Sequence, residues 1–252
     1  MGATKIEFRL RVAIITAILT LGFWSPWIEL WGIGNRMPLM TWLAYELLRL
    51  GVCRFGVAVP VVIVLAALVA AKAVVMRVWG TAWLGTAKVL HGQMKAGAVM
   101  ADGPYRYVRN PLYIGSWCMF AAMAFVMPPT GAAFAMILLT AFLLRLILGE
   151  ETFLASQLGQ PYQDYLRAVP RLIPRLRIKL WPDGIQPTGR KPQWIRAVLS
   201  EVNPIGVFIT LAFLSWSYDE WLMVRAIIVS LGVSLVVHAL LPNAEQDSGS
   251  AE

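Results

Sequence analysis

Charged side chains are scarce in this 252-residue chain: they make up 14% of it, against 58% hydrophobic residues, and mean hydropathy is +0.65. Soluble domains run nearer a quarter charged and half apolar, so an ordinary soluble domain is excluded. Cysteine is rarer still. Cys53 and Cys118 lie beside or inside apolar runs and belong to no C-x-x-C pair, so they build no disulfide framework and read as small hydrophobes. Histidine is limited to His91 and His238, in dissimilar surroundings, which leaves no haem or metal ligand set. No Gly-x-Gly-x-x-Gly follows a strand pattern, so a soluble Rossmann-type cofactor domain is absent. Acidic residues number 14 against 22 Lys and Arg, for a net charge of +8. That excess disfavours nucleic acid once it is read as topology.

What the chain has is apolar runs. Leu10 to Trp31 follows Lys5 and Arg9, and Trp24-Ser25-Pro26-Trp27 offers no small-x-small cleavage site, so a span is expected rather than a signal peptide. Met37 to Leu50 is too short to cross and reads as an interfacial segment or a cap on the next helix. Phe55 to Val75 is a second span. Leu112 to Met127 and Ala132 to Leu148 form a hairpin split by Pro128-Pro129-Thr130-Gly131, a strong turn signal. Both arms look short for a full crossing. Ala197 to Trp216 and Trp221 to Leu241 form a second hairpin, with Trp216, Tyr218 and Trp221 as an interfacial belt. Asn203-Pro204 marks a kink or a helix start there. The acidic tail from Asn243 reads as disordered. The expected fold is all-α, a multi-pass transmembrane helical protein of about six spans.

With both termini inside, Lys5, Arg9, Arg11, Arg77, Lys88, Lys95, Arg106, Arg109, Arg167, Arg171, Arg175, Arg177, Lys179, Arg190, Lys191 and Arg196 fall on the cytoplasmic side. Arg36, Arg49, Arg54 and Arg225 fall outside. The asymmetry satisfies the positive-inside rule. Both termini are therefore expected in the cytoplasm and, in a bacterium, the inner membrane is expected to hold the chain. Attraction to anionic lipids adds to the effect.

Two long segments, Gly80 to Pro111 and Glu150 to Arg196, flank the short hairpin on this face. The first ends in Gly103-Pro104-Tyr105-Arg106-Tyr107-Val108-Arg109-Asn110-Pro111-Leu112-Tyr113-Ile114-Gly115. This is a turn, a cluster of donors and rings, and a helix start at Pro111. It suits an anion site, and equally interfacial anchoring. The second opens with Glu150-Glu151 at the inner end of a span, where mutual repulsion and the helix dipole call for cations. Arg106 and Arg109 are candidate ion-pair partners; a bound cationic ligand is the rival. Arg145 reads either as functional or as snorkelling. His238 reads as hydrogen-bonded between helices, His91 as solvated or a spare base.

Together these blocks resemble the membrane methyltransferase superfamily that includes isoprenylcysteine carboxyl methyltransferases and phospholipid N-methyltransferases. Its pattern is G-P-Y-x-x-x-R-H-P-x-Y-x-G, a helical hairpin, E-E-x-x-L/F, G-x-x-Y-x-x-Y and V-P-R-x-I-P. Gly103 to Gly115, Glu150-Glu151, Gly159, Tyr162, Tyr165 and Val169 to Pro174 follow it in order and spacing, over roughly Val75 to Arg177. The resemblance implies S-adenosylmethionine as donor in a cytosol-facing pocket, with a lipid-like or prenylated acceptor entering from the bilayer. It assigns Gly103, Tyr105, Arg109, Asn110, Pro111, Tyr113, Gly115, Glu150, Glu151 and Tyr162 to the donor pocket, with Arg109, Asn110 and Glu151 as the catalytic set. Gly103 and Gly115 would allow close backbone approach. Residues 1–79 are then N-terminal membrane helices, 80–180 the methyltransferase core, and 181–252 a linker, an extra hairpin and a tail.

One departure bears on chemistry. Asn110 stands where the family usually has histidine, and asparagine cannot act as a base near neutral pH. The expectation is therefore an anionic acceptor and carboxyl O-methylation, with phospholipid N-methylation and thiol S-methylation as alternatives. A reductase using a nicotinamide cofactor, or a lipid-binding protein without turnover, are the readings from other classes.

Overall fold

The computed structural model describes residues 2–85, 99–174 and 191–240. His91, the basic residues from Arg175 to Arg190 and the acidic tail lie outside the described residues. Among the described residues the chain is helical with no strand. The order is α1 (Lys5–Arg9), α2 (Arg11–Phe23), α3 (Pro26–Trp31), α4 (Leu39–Arg49), α5 (Phe55–Leu84), a 3₁₀ turn (Gly103–Arg106), α6 (Pro111–Ala124), α7 (Pro129–Leu158), α8 (Gln160–Ala168), α9 (Trp194–Ser200), α10 (Val202–Phe213), a second 3₁₀ turn (Leu214–Ser217) and α11 (Glu220–Leu240).

Four stretches are long and apolar enough to cross a membrane: Arg11–Trp31, Gly56–Leu84, Pro129–Leu158 and Glu220–Leu240. A fifth is reached if α9 and the helix after it, bent by 67°, count as one broken span. This integral membrane architecture departs from six long, unbroken helices in two places. Helix α6 has 14 residues, about 21 Å at 1.5 Å each, well short of the ~30 Å hydrocarbon core. The Ala197–Trp216 run is interrupted at Glu201, ahead of Pro204, which sits inside the first turn of α10. Conversely α7 is not short. It runs 30 residues, through Glu150-Glu151 to a glycine cap at Gly159 (φ 60°).

Small residues set how closely the helices pack. On α5, Ala58, Ala66, Ala70 and Ala73 are at most 1% exposed and share one face, which lies in the core shared with α6. Val61, Val64, Leu65 and Leu68 point outward, as lipid-facing positions do. Helices α2 and α7 cross where Gly22 meets Gly131 and Ala135. A Cβ on Gly131 would strike the Gly22 carbonyl.

At one end of the bundle, the backbone amides of Leu39 and Met40 donate to the carbonyls of Met127 and Phe125 (2.8 and 2.9 Å). Helix α4 thus starts against the tip of the α6–α7 hairpin and packs on α5, the short cap expected of Met37 to Leu50. At the other end, the Ala3 amide donates to the Arg145 carbonyl (2.8 Å) and Gln193 to Ala82 (2.8 Å). The N-terminus, the start of α6, the far part of α7 and α9 therefore gather there, with the two motif blocks.

Candidate functional site

The Arg109-Asn110-Pro111 step closes this end. Pro111 opens α6, where a missing N–H costs nothing, and the preceding backbone is pinned because the Arg109 amide donates to the Pro170 carbonyl (2.9 Å). The two sequence blocks thus meet through the backbone before any side chain is considered.

Glu151, 6% exposed, is the hub. Its Oε1 accepts from Asn110 Nδ2 (3.0 Å), and its Oε2 accepts from Arg171 Nε (3.0 Å), with Arg171 Nη2 at 2.9 Å. Arg109 Nε stands 3.4 Å from Oε1, while its Nη1 donates to the Leu166 carbonyl (2.9 Å). Asn110 Nδ2 also reaches the Arg171 carbonyl (3.3 Å). Of the partners expected from topology, Arg109 is at this carboxylate. Arg171, which the motif reading quoted without assigning it a role, is the second.

Glu150 is held differently. Its Oε2 accepts from the Tyr113 hydroxyl (2.8 Å) on the first turn of α6. Because α7 continues past both glutamates to Leu158, they do not sit at a helix terminus, which corrects the expected dipole penalty.

Aromatic walls complete the site. Tyr105, Tyr162 and Tyr165 are buried, the Tyr165 hydroxyl donates to the Tyr105 carbonyl (2.7 Å), and the Tyr162 and Tyr165 rings lie 5.8 Å apart. Burial holds all three phenols above their ordinary range, so they are neutral donors. The Tyr105 hydroxyl is buried without a hydrogen-bond partner among the described residues. Gly103 (φ 55°) and Gly115 both allow close approach, and the groups that approach are Trp83 at the first and the Arg77 stem at the second. Of the ten sequence-predicted site residues, Gly103 and Gly115 instead pack against α5, and the other eight lie in or beside one cluster.

Sequence reasoning missed a second buried cluster next to it. Glu201, 1% exposed, takes Arg77 Nη2 (3.0 Å) and Thr81 Oγ1 (2.6 Å) on Oε1, and Arg77 Nη1 donates to Ser116 Oγ (2.7 Å). The available signal was a carboxylate inside an apolar run. Arg145 neither snorkels alone nor faces the site: it pairs with Glu7 (2.8 Å) on α1. His238 Nε2 meets the Ser200 carbonyl (2.7 Å), the interhelical bond expected. Cys118 is buried and Cys53 partly so, both as free thiols. Among the described residues no group of His, Cys, Asp and Glu could hold a metal.

The donor set fits a zwitterionic sulfonium ligand. Glu150 supplies a partly buried carboxylate that accepts from the Tyr113 phenol within reach of the Arg11 charge, the tyrosines supply apolar walls, Tyr105 supplies a hydroxyl with no hydrogen-bond partner among the described residues, and Arg109 supplies positive charge.

Residues 61–161 match the sequence profile of the phospholipid methyltransferase family. The matched stretch holds Gly103 to Gly115 and Glu150-Glu151, and stops one residue before Tyr162. A methanethiol S-methyltransferase from Crocosphaera subtropica (strain ATCC 51142 / BH68) is 40% identical over 70 residues, covering 28% of this chain and 27% of the relative. The chain thus aligns with about a quarter of the length of that curated relative. No solved structure matches. The resemblance to membrane methyltransferases of the isoprenylcysteine carboxyl and phospholipid type is borne out.

Proposed function

We propose that this integral membrane protein is an S-adenosylmethionine-dependent methyltransferase whose acceptor reacts as an anion, a thiolate or a carboxylate on a lipid-like or small apolar molecule. The observation that carries this reading is the commitment of Asn110. Its amide nitrogen is spent on Glu151 and on the Arg171 carbonyl, and Glu151 in turn accepts from Asn110 and Arg171 with the Arg109 guanidinium 3.4 Å away. Neither residue is left to take a proton from an ammonium acceptor. The thiolate is favoured by the thiol-methylating relative, the carboxylate by the likeness to isoprenylcysteine carboxyl methyltransferases.

The donor supplies a methyl group on a cationic sulfur. Of the chain's residues, Glu150 would hold the donor's ammonium, as a partly buried carboxylate whose hydrogen bond from Tyr113 is neutral. Arg109 and the start of α6 from Pro111 to Tyr113 face its carboxylate. Glu151 does not bind ligand: it locks Arg109, Asn110 and Arg171 in one geometry. Tyr105, Tyr162 and Tyr165 exclude water. An anionic acceptor brings its own electron pair, so catalysis consists of holding the reacting atoms in line in a dry site. The motif end of the bundle faces the cytosol in this reading, which the excess of Lys and Arg on the connections at that end supports.

The test is incubation of membranes holding the protein with methyl-labelled donor. Label entering a volatile or apolar thioether supports the thiol, base-labile label supports the ester, and alkali-stable label on an amine headgroup overturns the anionic acceptor. Calorimetry in detergent that shows binding of NADPH and none of the methyl donor overturns the transferase.

A further inference from the structure

We propose that Glu201, on the hairpin beyond the stretch that matches the family, is a positioning residue for the methyl-transfer site and acts through Arg77; the inference rests on the methyltransferase reading above.

Glu201 sits at the break between α9 and α10, where the chain turns by 67°. There its carboxylate is carried into the interior and forms a two-point contact with Arg77 of α5 through Nε and Nη2. Thr81, one turn further along α5, donates to the same carboxylate (2.6 Å). A fork fixed at two points can rotate little. The free end of the fork therefore points at a fixed place, and Ser116 of α6 is what it meets (2.7 Å). The stem of the same arginine fills the space over Gly115: a Cβ there would lie 2.5 Å from Arg77 Cγ.

Gly115 and Ser116 lie one turn or less beyond Tyr113, whose hydroxyl meets Glu150, on the helix headed by Asn110, whose amide meets Glu151. One turn further along α5, Gly80 packs on Leu112, with the Tyr105 hydroxyl 3.6 Å from the position a Cβ would take. The carboxylate of Glu201 thus fixes a guanidinium, the guanidinium fixes the register of α6 on α5, and that register aims Tyr113 and Asn110. A buried ion pair is a weak source of net stability, because desolvation offsets its attraction. Holding one geometry is its better-attested use. The C-terminal hairpin is by this argument part of the catalytic unit, although it lies outside the family match.

The two roles separate in a double variant. Replacing a buried pair by apolar residues of similar volume is often neutral or stabilising, so Arg77→Met combined with Glu201→Leu in the full chain should keep its thermal midpoint. If the pair positions the site, the same protein shows a rise of about tenfold or more in donor KM, with kcat/KM falling at least as far. Wild-type kcat/KM in the folded double variant overturns the proposal. Should that variant not fold, Thr81→Val removes one hydrogen bond to Glu201 and keeps the charge. A rise of about threefold in donor KM at an unchanged midpoint supports the proposal, and an unchanged KM overturns it. Wild-type protein that binds no methyl donor overturns the functional reading instead.

Discussion

Replacing Asn110 by aspartate changes little in shape and reverses the logic of the site. Asn110 is 8% exposed and donates from Nδ2 to Glu151 Oε1 at 3.0 Å. In Asn110→Asp that donor becomes an oxygen. Two unit charges ~3 Å apart at an effective dielectric of ~20 repel by roughly 5 kcal/mol, and a charge-assisted hydrogen bond worth about 1.5–3 kcal/mol is lost as well. Arg109 and Arg171 offset part of the repulsion. A net penalty of about 3 kcal/mol on the charged form corresponds to a rise of roughly two pKa units, which moves the introduced carboxyl from about 3.9 to near 6. A group whose value is raised on folding stabilises the fold below its ordinary value and loses that contribution as pH rises through the raised one. Once protonated, the introduced carboxyl can donate to Glu151 again. Donor affinity, followed by calorimetry in detergent, should therefore fall at least about tenfold at pH 8 and recover as pH is lowered through about 6. Donor affinity in Asn110→Asp that is unchanged at pH 8, or activity that rises with pH above wild type, would show that position 110 is not a structural donor and refute the reasoning.

The packing and electrostatics give further expectations. Gly131→Leu drives a side chain into the Gly22 carbonyl and Ser25 at the α2–α7 crossing, whereas nothing lies within 4 Å of a Cβ at Gly232; the first should abolish a cooperative thermal transition, and Gly232→Leu should leave its midpoint within a degree or two of wild type. Tyr165→Phe leaves the buried Tyr105 carbonyl without its 2.7 Å donor and should cost about 1–2 kcal/mol, read as a lowered thermal midpoint. Because burial raises the phenols of Tyr105, Tyr162 and Tyr165, their contribution is complete below about pH 10 and is lost as pH rises through the raised values. The midpoint should be flat up to about pH 9.5 and fall above it. With Cys53 and Cys118 removed, Lys5→Cys should react with an impermeant maleimide only from the cytosolic side, and Asp219→Cys only from the opposite one.

How far the sequence could be read follows from which forces write a periodic or punctuated signal. The α6–α7 turn was legible because Pro128, Pro129 and Gly131 mark a break whatever surrounds them. The start of α6 at Pro111 was legible for the same reason. The length of α7 was not: two adjacent glutamates read as an exit from the membrane, yet the helix continues because its polar stretch packs against α8 and the two motif blocks. The shortness of α6 was hidden for a related reason. Composition records how apolar α6 is, but not that its start is held beside Glu150 and Glu151 while its far end meets α4, leaving only 14 residues between. Within the site, the motif blocks pointed to the residues that gather around Glu150 and Glu151, but they could not assign partners, and Gly103 and Gly115 turn out to pack on α5. Arg171 stood in the V-P-R motif as one more basic residue, and Glu201 lay unnoticed in an apolar run. Both are found only where chain segments far apart in sequence close on each other.

The division of labour between the two glutamates follows from helix geometry. Consecutive residues on an α-helix project about 100° apart, so a straight α7 cannot aim both carboxylates at one partner. Glu151 projects toward the strap that carries Arg109, Asn110 and Arg171, and its oxygens are filled by fixed protein groups. Glu150 projects toward the first turn of α6, where a neutral phenol is its hydrogen-bond donor. The phenol gives this carboxylate a hydrogen bond without adding charge, and the Arg11 guanidinium acts on it as well. In the proposed reading one of the two adjacent acids builds the wall and the other faces the ligand. Glu151→Gln should therefore disturb the wall and lower both stability and donor affinity, while Glu150→Gln should lower donor affinity with the wall intact, as calorimetry and the thermal midpoint in detergent will show.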